Sequence, residues 1–417
     1  MTDTLRYVPD APLDQTVLAP PQRLENVSNS LAPLPLPVGS AARRTTVLPR
    51  VEWAGDQPLM NPLTRERFEE VRPLGQGGMG EVLLLKDHDI ERLVALKRLP
   101  ETNDLDRVLR FVEEIRTVGQ LDHPNIVPVH DVGIDHLGRY FFVMKHLQGE
   151  TLESIIEKLR KGDPGAHARF TFANRVQVML GVLNALDYAH RKGFIHRDLK
   201  PANIMVGPYG EVTVMDWGLA RRVHQPDAVS RSATPSVPTN LRAAVSLQTQ
   251  MGAVVGTPFY MSPEQARGQH DAVDARSDTY SLGILFHEFL YLRHYLEGRQ
   301  SLAEVLEGVG TVMPDFFDIE SSPHQPSVPA EYAWFVRKGV EKDPARRYQS
   351  VAEMKEVLQA AQEGRFKMVC RRTMLKGGLH TLLRSVDKHP TAIFLGGGLA
   401  LLAVLGALGH LLVTLLG

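Results

Sequence analysis

Cysteine is almost missing from this chain. Cys370 stands alone in 417 residues, which rules out an intramolecular disulfide framework, fits a reducing compartment and leaves the thiol as a bystander. Neither sign of charge is in surplus. Lys and Arg number 47 against 48 Asp and Glu, a formal net charge of −1, so the concentrated basic face that a nucleic-acid partner needs is not expected. The 16 histidines are scattered without paired metal-ligand spacing. No internal repeat is visible, and no apolar leader opens the chain, since Met1 to Arg6 runs into polar sequence. The N-terminus is therefore expected to stay in the cytoplasm.

Both ends depart from globular composition. The first 62 residues hold ten prolines and no sustained periodicity, so 1–65 is expected to be a disordered arm, suited to docking. At the other end, 391–416 is an uncharged apolar run of 26 residues, where about 20 suffice to span a bilayer as helix. In the linker before it, 363–390, the stretch 365–388 carries Arg365, Lys367, Arg371, Arg372, Lys376, Arg384 and Lys388 against one acid, Asp387. Cytoplasmic flanks favour Lys and Arg, so a single-pass helix in the inner membrane is expected, with everything before it on the cytoplasmic side. Small residues at Gly396, Ala400, Ala403 and Ala407 would let two such helices approach closely and pair the chain as a homodimer.

Between these ends lies the chemistry. His196-Arg197-Asp198-Leu199-Lys200-Pro201-Ala202-Asn203 is followed, thirteen residues after Asn203, by Asp216-Trp217-Gly218. Asp198 can accept the proton of an incoming hydroxyl and Lys200 can neutralise a moving phosphoryl group. Asn203 and Asp216 are hard oxygen ligands suited to Mg²⁺. Upstream, Leu74-Gly75-Gln76-Gly77-Gly78-Met79-Gly80-Glu81-Val82 spaces its glycines as G-x-G-x-x-G-x-V between two strand-like runs. Without Cβ atoms such a loop can fold over a triphosphate and bring backbone N–H groups to its oxygens. Arg92 to Leu99 alternates as a strand does, with Ala95 and Lys97 in a V-A-x-K pattern. A dinucleotide-binding turn opens directly into a helix; here a strand follows the glycines, which excludes that reading.

In this order the motifs resemble the eukaryotic-type serine/threonine protein kinases, most closely their bacterial membrane-anchored members, over about residues 67–362. The resemblance implies an α+β fold of two lobes, a small β-rich lobe over 66–147 and a larger helical lobe over 148–362, followed by the one transmembrane helix. It implies ATP with Mg²⁺, or Mn²⁺ in its place, and protein substrates phosphorylated on Ser or Thr, the chain itself included. Leu74, Gly75, Gly77, Gly80, Val82 and Ala95 are then expected to enclose the nucleotide. Lys97 would pair its α- and β-phosphates, and Glu114, rather than the solvent-facing Glu113, would orient that lysine. Met144 would stand at the back of the adenine pocket, with Lys145 and Leu147 in the hinge between lobes.

By the same resemblance, 216–264 is the activation segment. Its stretch from Val223 to Gln250 is rich in Ser, Thr and Pro, is expected to be disordered until modified, and offers Thr249 as the favoured autophosphorylation site. A phosphate there would meet Arg197, the cation beside the catalytic Asp198. Thr257 is expected near Asp198 and Lys200 as part of the catalytic group. Glu264 should pair with Arg347, and Asp278 should brace the catalytic loop. Trp217 departs from the family's usual Phe; it should pack beneath the regulatory helix and favour the state in which Asp216 faces the metal. A pseudokinase that binds nucleotide without turnover would need a lost Lys97, Asp198 or Asp216, and none is lost. A membrane scaffold is the other alternative, and it would keep its cellular effect when Asp198 is changed to Asn.

Overall fold

Alternating apolar and polar residues from Phe68 onward build a five-stranded antiparallel sheet, and the two faces of that sheet have different duties. The computed structural model describes residues 46–61, 65–77, 80–102, 104–222, 257–316, 322–365 and 406–407. Ahead of the sheet, β1 (Arg50–Ala54) and β2 (Gln57–Asn61) pair as a hairpin. The sheet itself contains β3 (Phe68–Gly77), β4 (Gly80–Asp87), β5 (Arg92–Arg98), β6 (Val129–Ile134) and β7 (Tyr140–Lys145), in the order β3-β4-β5-β7-β6. Leu83, Leu85, Val94, Leu96, Phe141 and Val143 pack together on the outer face. Period-two alternation therefore turns Val82, Leu84, Ala95, Lys97, Phe142 and Met144 to the inner face.

Helix α1 (Leu105–Val118) crosses that inner face, starting at Asp104, whose side chain accepts the N–H groups of Asp106 and Arg107. Phe111 from α1 meets Phe142 from β7, ring centroids 5.7 Å apart, and Leu99 joins them. Burial of one such phenyl ring stabilises by roughly 1.5–3 kcal/mol. This contact fixes the rotation of α1 and, with it, which of two adjacent glutamates points at β5.

The hairpin corrects one expectation. The arm 1–65 was expected to be disordered on its proline content, yet 50–61 is a β-ribbon turned at Gly55, which sits at φ +64°. Val51 and Trp53 alternate with Glu52, the Gly55-Asp56 pair supplies the turn, and Pro58 is tolerated because a two-stranded ribbon has open edges. Its stem is tied down where Asp89 Oδ1 accepts the N–H groups of Val47 and Leu48 at 2.8 and 3.0 Å. The remainder of the expected arm up to residue 45 lies outside the described residues.

After Lys145 the chain becomes helical. Short β8 (Glu150–Thr151) leads into α2 (Leu152–Arg160), α3 (Pro164–Arg169) and the long α4 (Phe172–Arg191), capped by Thr171. Then come β9 (Phe194–Ile195), β10 (Ile204–Val206), β11 (Val212–Val214) and β12 (Arg221–Arg222). Strands β8, β10 and β11 form one small sheet and β9 and β12 another, and along the chain these strands bracket 196–203 and 215–220. Past 257 follow α5 (Pro263–Ala266), α6 (Ala275–Tyr291), α7 (Leu302–Thr311), α8 (Ala330–Gly339) and α9 (Val351–Gln362). One continuous core joins Val182 and Leu186 of α4, Leu282 and Phe286 of α6, Val336 of α8 and Met354 of α9. This is the β-rich lobe and helical lobe expected of the fold. Among the described residues no helix is long and apolar enough to cross a membrane; of the run 391–416 only 406 and 407 are described.

Candidate active site

Lys97 rises from the inner face of β5 and is almost wholly buried. Its Nζ donates to Glu114 Oε1 at 2.5 Å, and Asp216 Oδ1, from the helical lobe, lies 3.5 Å away. Burial alone would depress the lysine, but the Asp216 and Glu114 carboxylates outweigh it and hold Lys97 above its ordinary value. Glu113 is exposed, one position round the helix. A buried charge is tolerated only when paired, so the Lys97–Glu114 contact is a condition of α1 packing where it does.

The catalytic loop hangs from a single buried carboxylate. Asp278, on α6, accepts the backbone N–H of His196 and of Arg197, both at 2.9 Å, and His190 Nε2 lies 2.7 Å from it. Arg197 and Asp216 are both held at positive φ, +69° and +55°, conformations costing about 1–3 kcal/mol each in non-glycine residues. The bonds to Asp278 hold Arg197 in place, as does its carbonyl, which accepts from Gln265 Nε2 at 2.9 Å. On the other side, Met215 N–H donates to Asn203 O at 2.8 Å and Val214 N–H to Asn125 O at 2.8 Å, which sets where Asp216 begins.

Within this frame Asp198, Lys200 and Asn203 meet. Lys200 Nζ donates to Asp198 Oδ2 at 2.8 Å, while Asn203 Nδ2 donates to the Asp198 carbonyl at 2.9 Å and to its Oδ2 at 3.3 Å. Because the amide nitrogen is committed to Asp198, the oxygen of Asn203 is the atom left for a cation. Burial pushes the Asp198 carboxyl up; Lys200 pulls against this, Asp216 adds to it, and the net direction is upward. The Asp216 side chain is 41% exposed; desolvation raises its carboxyl less than the nearby Lys97 and Lys200 lower it, and the net direction is below its ordinary range. Two carboxylates thus differ in character: one suited to take a proton, the other to stay charged. Among the described residues no cluster of three or more His, Cys, Asp or Glu side chains could hold a metal ion. A cation between Asn203 and Asp216 would therefore draw most of its ligands from a second molecule, as Mg²⁺ does from phosphates.

The glycine loop runs from β3 into β4, and two of its described glycines stand in different surroundings. Gly80 sits at φ +156°, and a Cβ there would come within 2.5 Å of the Arg98 carbonyl. At Gly75 a Cβ would meet none of the described atoms within 4 Å, so no described neighbour requires glycine there. Gly77 closes the strand opposite Gly80, and the tip, 78–79, lies outside the described residues. Val82 pairs with Lys97, and Ala95 with both Leu84 and Met144, along the ladders. Met144 packs against the α1 cluster and also against the helical-lobe core, at the junction of the two. Leu147 packs on that core, Leu74 is 38% exposed, and Lys145 faces solvent with its N–H donated to Pro128 O at 3.2 Å.

Of the remaining expected residues, Thr257 opens a 3₁₀ turn, its side chain falling outside the described residues, as do Thr249 and the stretch 223–256. Trp217 is buried in the helical-lobe core, its ring centroid 4.6 Å from that of His196. Among the described residues its indole Nε1 has no hydrogen-bond partner, so packing holds the ring. Reading the sequence missed Gln265 and His190. The Ser262-Pro263-Glu264-Gln265 capping box marks a helix start, but nothing local says that the same glutamine reaches Arg197.

A lysine from a five-stranded sheet, ion-paired to a helix glutamate and facing an aspartate from a second lobe, agrees with the protein kinase domain profile, which matches residues 68–361. The chain belongs to the protein kinase family. Among its relatives, a probable serine/threonine-protein kinase of Streptomyces coelicolor is 36% identical over 72% of this chain and 40% of its own length. Serine/threonine-protein kinase PknD of Protochlamydia amoebophila is 33% identical over 74% of this chain and 31% of its own. Probable serine/threonine-protein kinase PknB of Bifidobacterium longum is 36% identical over 69% and 39%. The match to this kinase chain thus spans less than half the length of each of these relatives.

Proposed function

We propose that the chain transfers the γ-phosphoryl group of Mg·ATP to serine and threonine hydroxyls of proteins, itself included. The observation that carries this reading is Lys97, held by Glu114 at 2.5 Å while standing 3.5 Å from Asp216 of the opposite lobe. Bound ATP supplies the phosphoryl group, and Mg²⁺ neutralises the charge on its phosphate oxygens. Lys97 holds the phosphates against the sheet, and Gly75 leaves the loop free of side chains where they lie. Asp216 and the Asn203 oxygen hold the cation. Asp198 orients the acceptor hydroxyl and takes its proton, and Lys200 offsets the charge developing on the transferred group. The Lys145 N–H is committed to the sheet, which leaves its carbonyl and the Leu147 backbone to meet the adenine.

Incubation of the purified chain with Mg·ATP tests this. Wild type should incorporate phosphate on Ser or Thr, with Thr249 among the mapped sites, whereas Lys97→Met and Asp198→Asn should lose at least about a hundredfold, the scale for removal of a charge-stabilising or proton-accepting group. Equal incorporation by wild type and Lys97→Met would refute it. The same reading takes 391–416 as a single-pass inner-membrane helix that tethers the kinase to the cytoplasmic face and pairs it as a homodimer. The support is the apolar run, its basic flank and its small residues.

A further inference from the structure

On the outer face of the sheet, directly behind Lys97, lies a group of five charges that phosphoryl transfer as described does not use. Arg98 is next in sequence to Lys97 and points the other way. Its Nε donates to Glu81 Oε1 at 2.7 Å and its NH1 to Glu70 Oε1 at 3.2 Å, with Asp135 Oδ2 at 3.8 Å. Arg139 closes the ring, 2.8 Å from Asp135 Oδ2 and 3.8 Å from Glu81 Oε1. The Arg98 side chain is only 15% exposed, Arg139 18% and Asp135 12%, while Glu81 is 30% and Glu70 59% exposed, so the bond to Glu81 is the better shielded of the two and the one to Glu70 is screened like a surface pair.

The placement of these partners gives the group its meaning. Glu70 is on β3, the strand entering the glycine loop, and Glu81 is the first residue after Gly80, on the strand leaving it. Between them the β3–β4 ladder slips twice, at Glu70/Arg72 and at Pro73/Gly75, whereas β4 pairs with β5 without a slip from Glu81 to Asp87. The entering arm therefore carries two bulges before the loop, and one guanidinium joins it to the leaving arm across both of them. Glu81 lies opposite Arg98 in the ladder, and Gly80 is the residue whose Cβ would strike the Arg98 carbonyl.

We infer that Arg98, acting through Glu81 and Glu70, is a positioning residue for the nucleotide: it sets the height of the glycine loop above Lys97. The inference rests on the proposed ATP-binding role of that loop. Arginine suits the task because its fork reaches two carboxylates on two strands at once, which a lysine ammonium does with less geometric control. Arg98 touches no nucleotide atom; it acts on the loop that does.

The experiment uses the full chain in detergent micelles, measuring the Kd for Mg·ATP by titration, KM and kcat for phosphorylation, and the thermal midpoint. In Arg98→Gln and in Glu81→Gln, KM and Kd should rise about five- to tenfold, the loss of one charge-assisted hydrogen bond. The rate at saturating ATP should stay within about twofold, since Lys97, Asp198 and Asp216 are untouched. Arg98→Lys should fall between, since an ammonium keeps the charge but not the two-armed reach. Unchanged Kd in both glutamine variants would overturn the inference, as would a parallel fall of kcat and thermal midpoint, which a merely structural cluster would give. A wild-type chain that does not bind Mg·ATP would remove the proposed function and this inference together.

Discussion

Glu264 and Arg347, 83 residues apart, meet in a two-pronged ion pair with both arms at 2.8 Å and neither side chain more than 4% exposed. The guanidinium is fully satisfied, because Nε donates to Glu341 O, NH1 also to Arg276 O, and NH2 also to Lys342 O. Glu264 accepts from Ser277 Oγ at 2.7 Å as well, and despite its burial Arg347 holds its carboxyl below the ordinary range. The pair ties α5 to the 341–348 segment. Arg347→Ala leaves a buried carboxylate unpaired and should lower stability by about 3–5 kcal/mol. Denaturant unfolding measures this, and a loss under about 1 kcal/mol would mean that water takes over the role of the guanidinium.

Among the described residues Glu114 has no comparable redundancy, since Lys97 is its ion-pair partner and its Oε2 is buried with no hydrogen-bond partner there. Glu114→Gln keeps the shape and removes the charge that orients Lys97. A hydrogen bond to a charged group is worth about 1.5–3 kcal/mol, so kcat/KM for ATP should fall roughly ten- to a hundredfold. Glu113→Gln, on the exposed side of the same helix, should leave it unchanged.

The two glycines separate stability from binding. Gly80→Ala forces a side chain into positive φ and against a carbonyl at 2.5 Å, and should destabilise by about 1–3 kcal/mol. Gly75→Ala enters open space, so the thermal midpoint should hold while KM for ATP rises several-fold. The reverse pattern would mean that the loop does not cover a nucleotide.

Lys342 gives a pH signature away from the cleft. Burial, with Arg347 and Arg267 nearby, pushes it down to about 7, and its Nζ lies between the rings of Tyr280 and Tyr295 while donating to Tyr280 Oη and Val309 O. Between pH 7 and the ordinary lysine pKa near 10.4 the unfolded chain binds more protons at this site than the folded one, so its contribution to stability rises with pH. The thermal midpoint of wild type relative to Lys342→Met should therefore climb from pH 7 to 9.5. A flat difference would show that the lysine stays charged in the fold.

Motifs made the candidate chemistry legible because they are local: the spacing from Asp198 to Asn203 is set within one loop, whereas Glu114 was singled out from Glu113 by the family resemblance alone. The hairpin 50–61 escaped because proline counting outweighed a short alternation around Trp53. The Arg98 ring escaped because only the strand register places Glu70, Glu81 and Asp135 beside one guanidinium.

What the amino-acid order determined alone was the inventory of reacting groups, their sequence along the chain and the family they belong to. Tertiary structure decided that 97 and 114 from one lobe stand against 198, 203 and 216 from the other, which of two glutamates faces inward, and that Asp278 holds the catalytic loop. Spacing along a chain dictates geometry only over a turn or two of backbone; contacts between residues a hundred positions apart exist only once sheet, helix and core have packed.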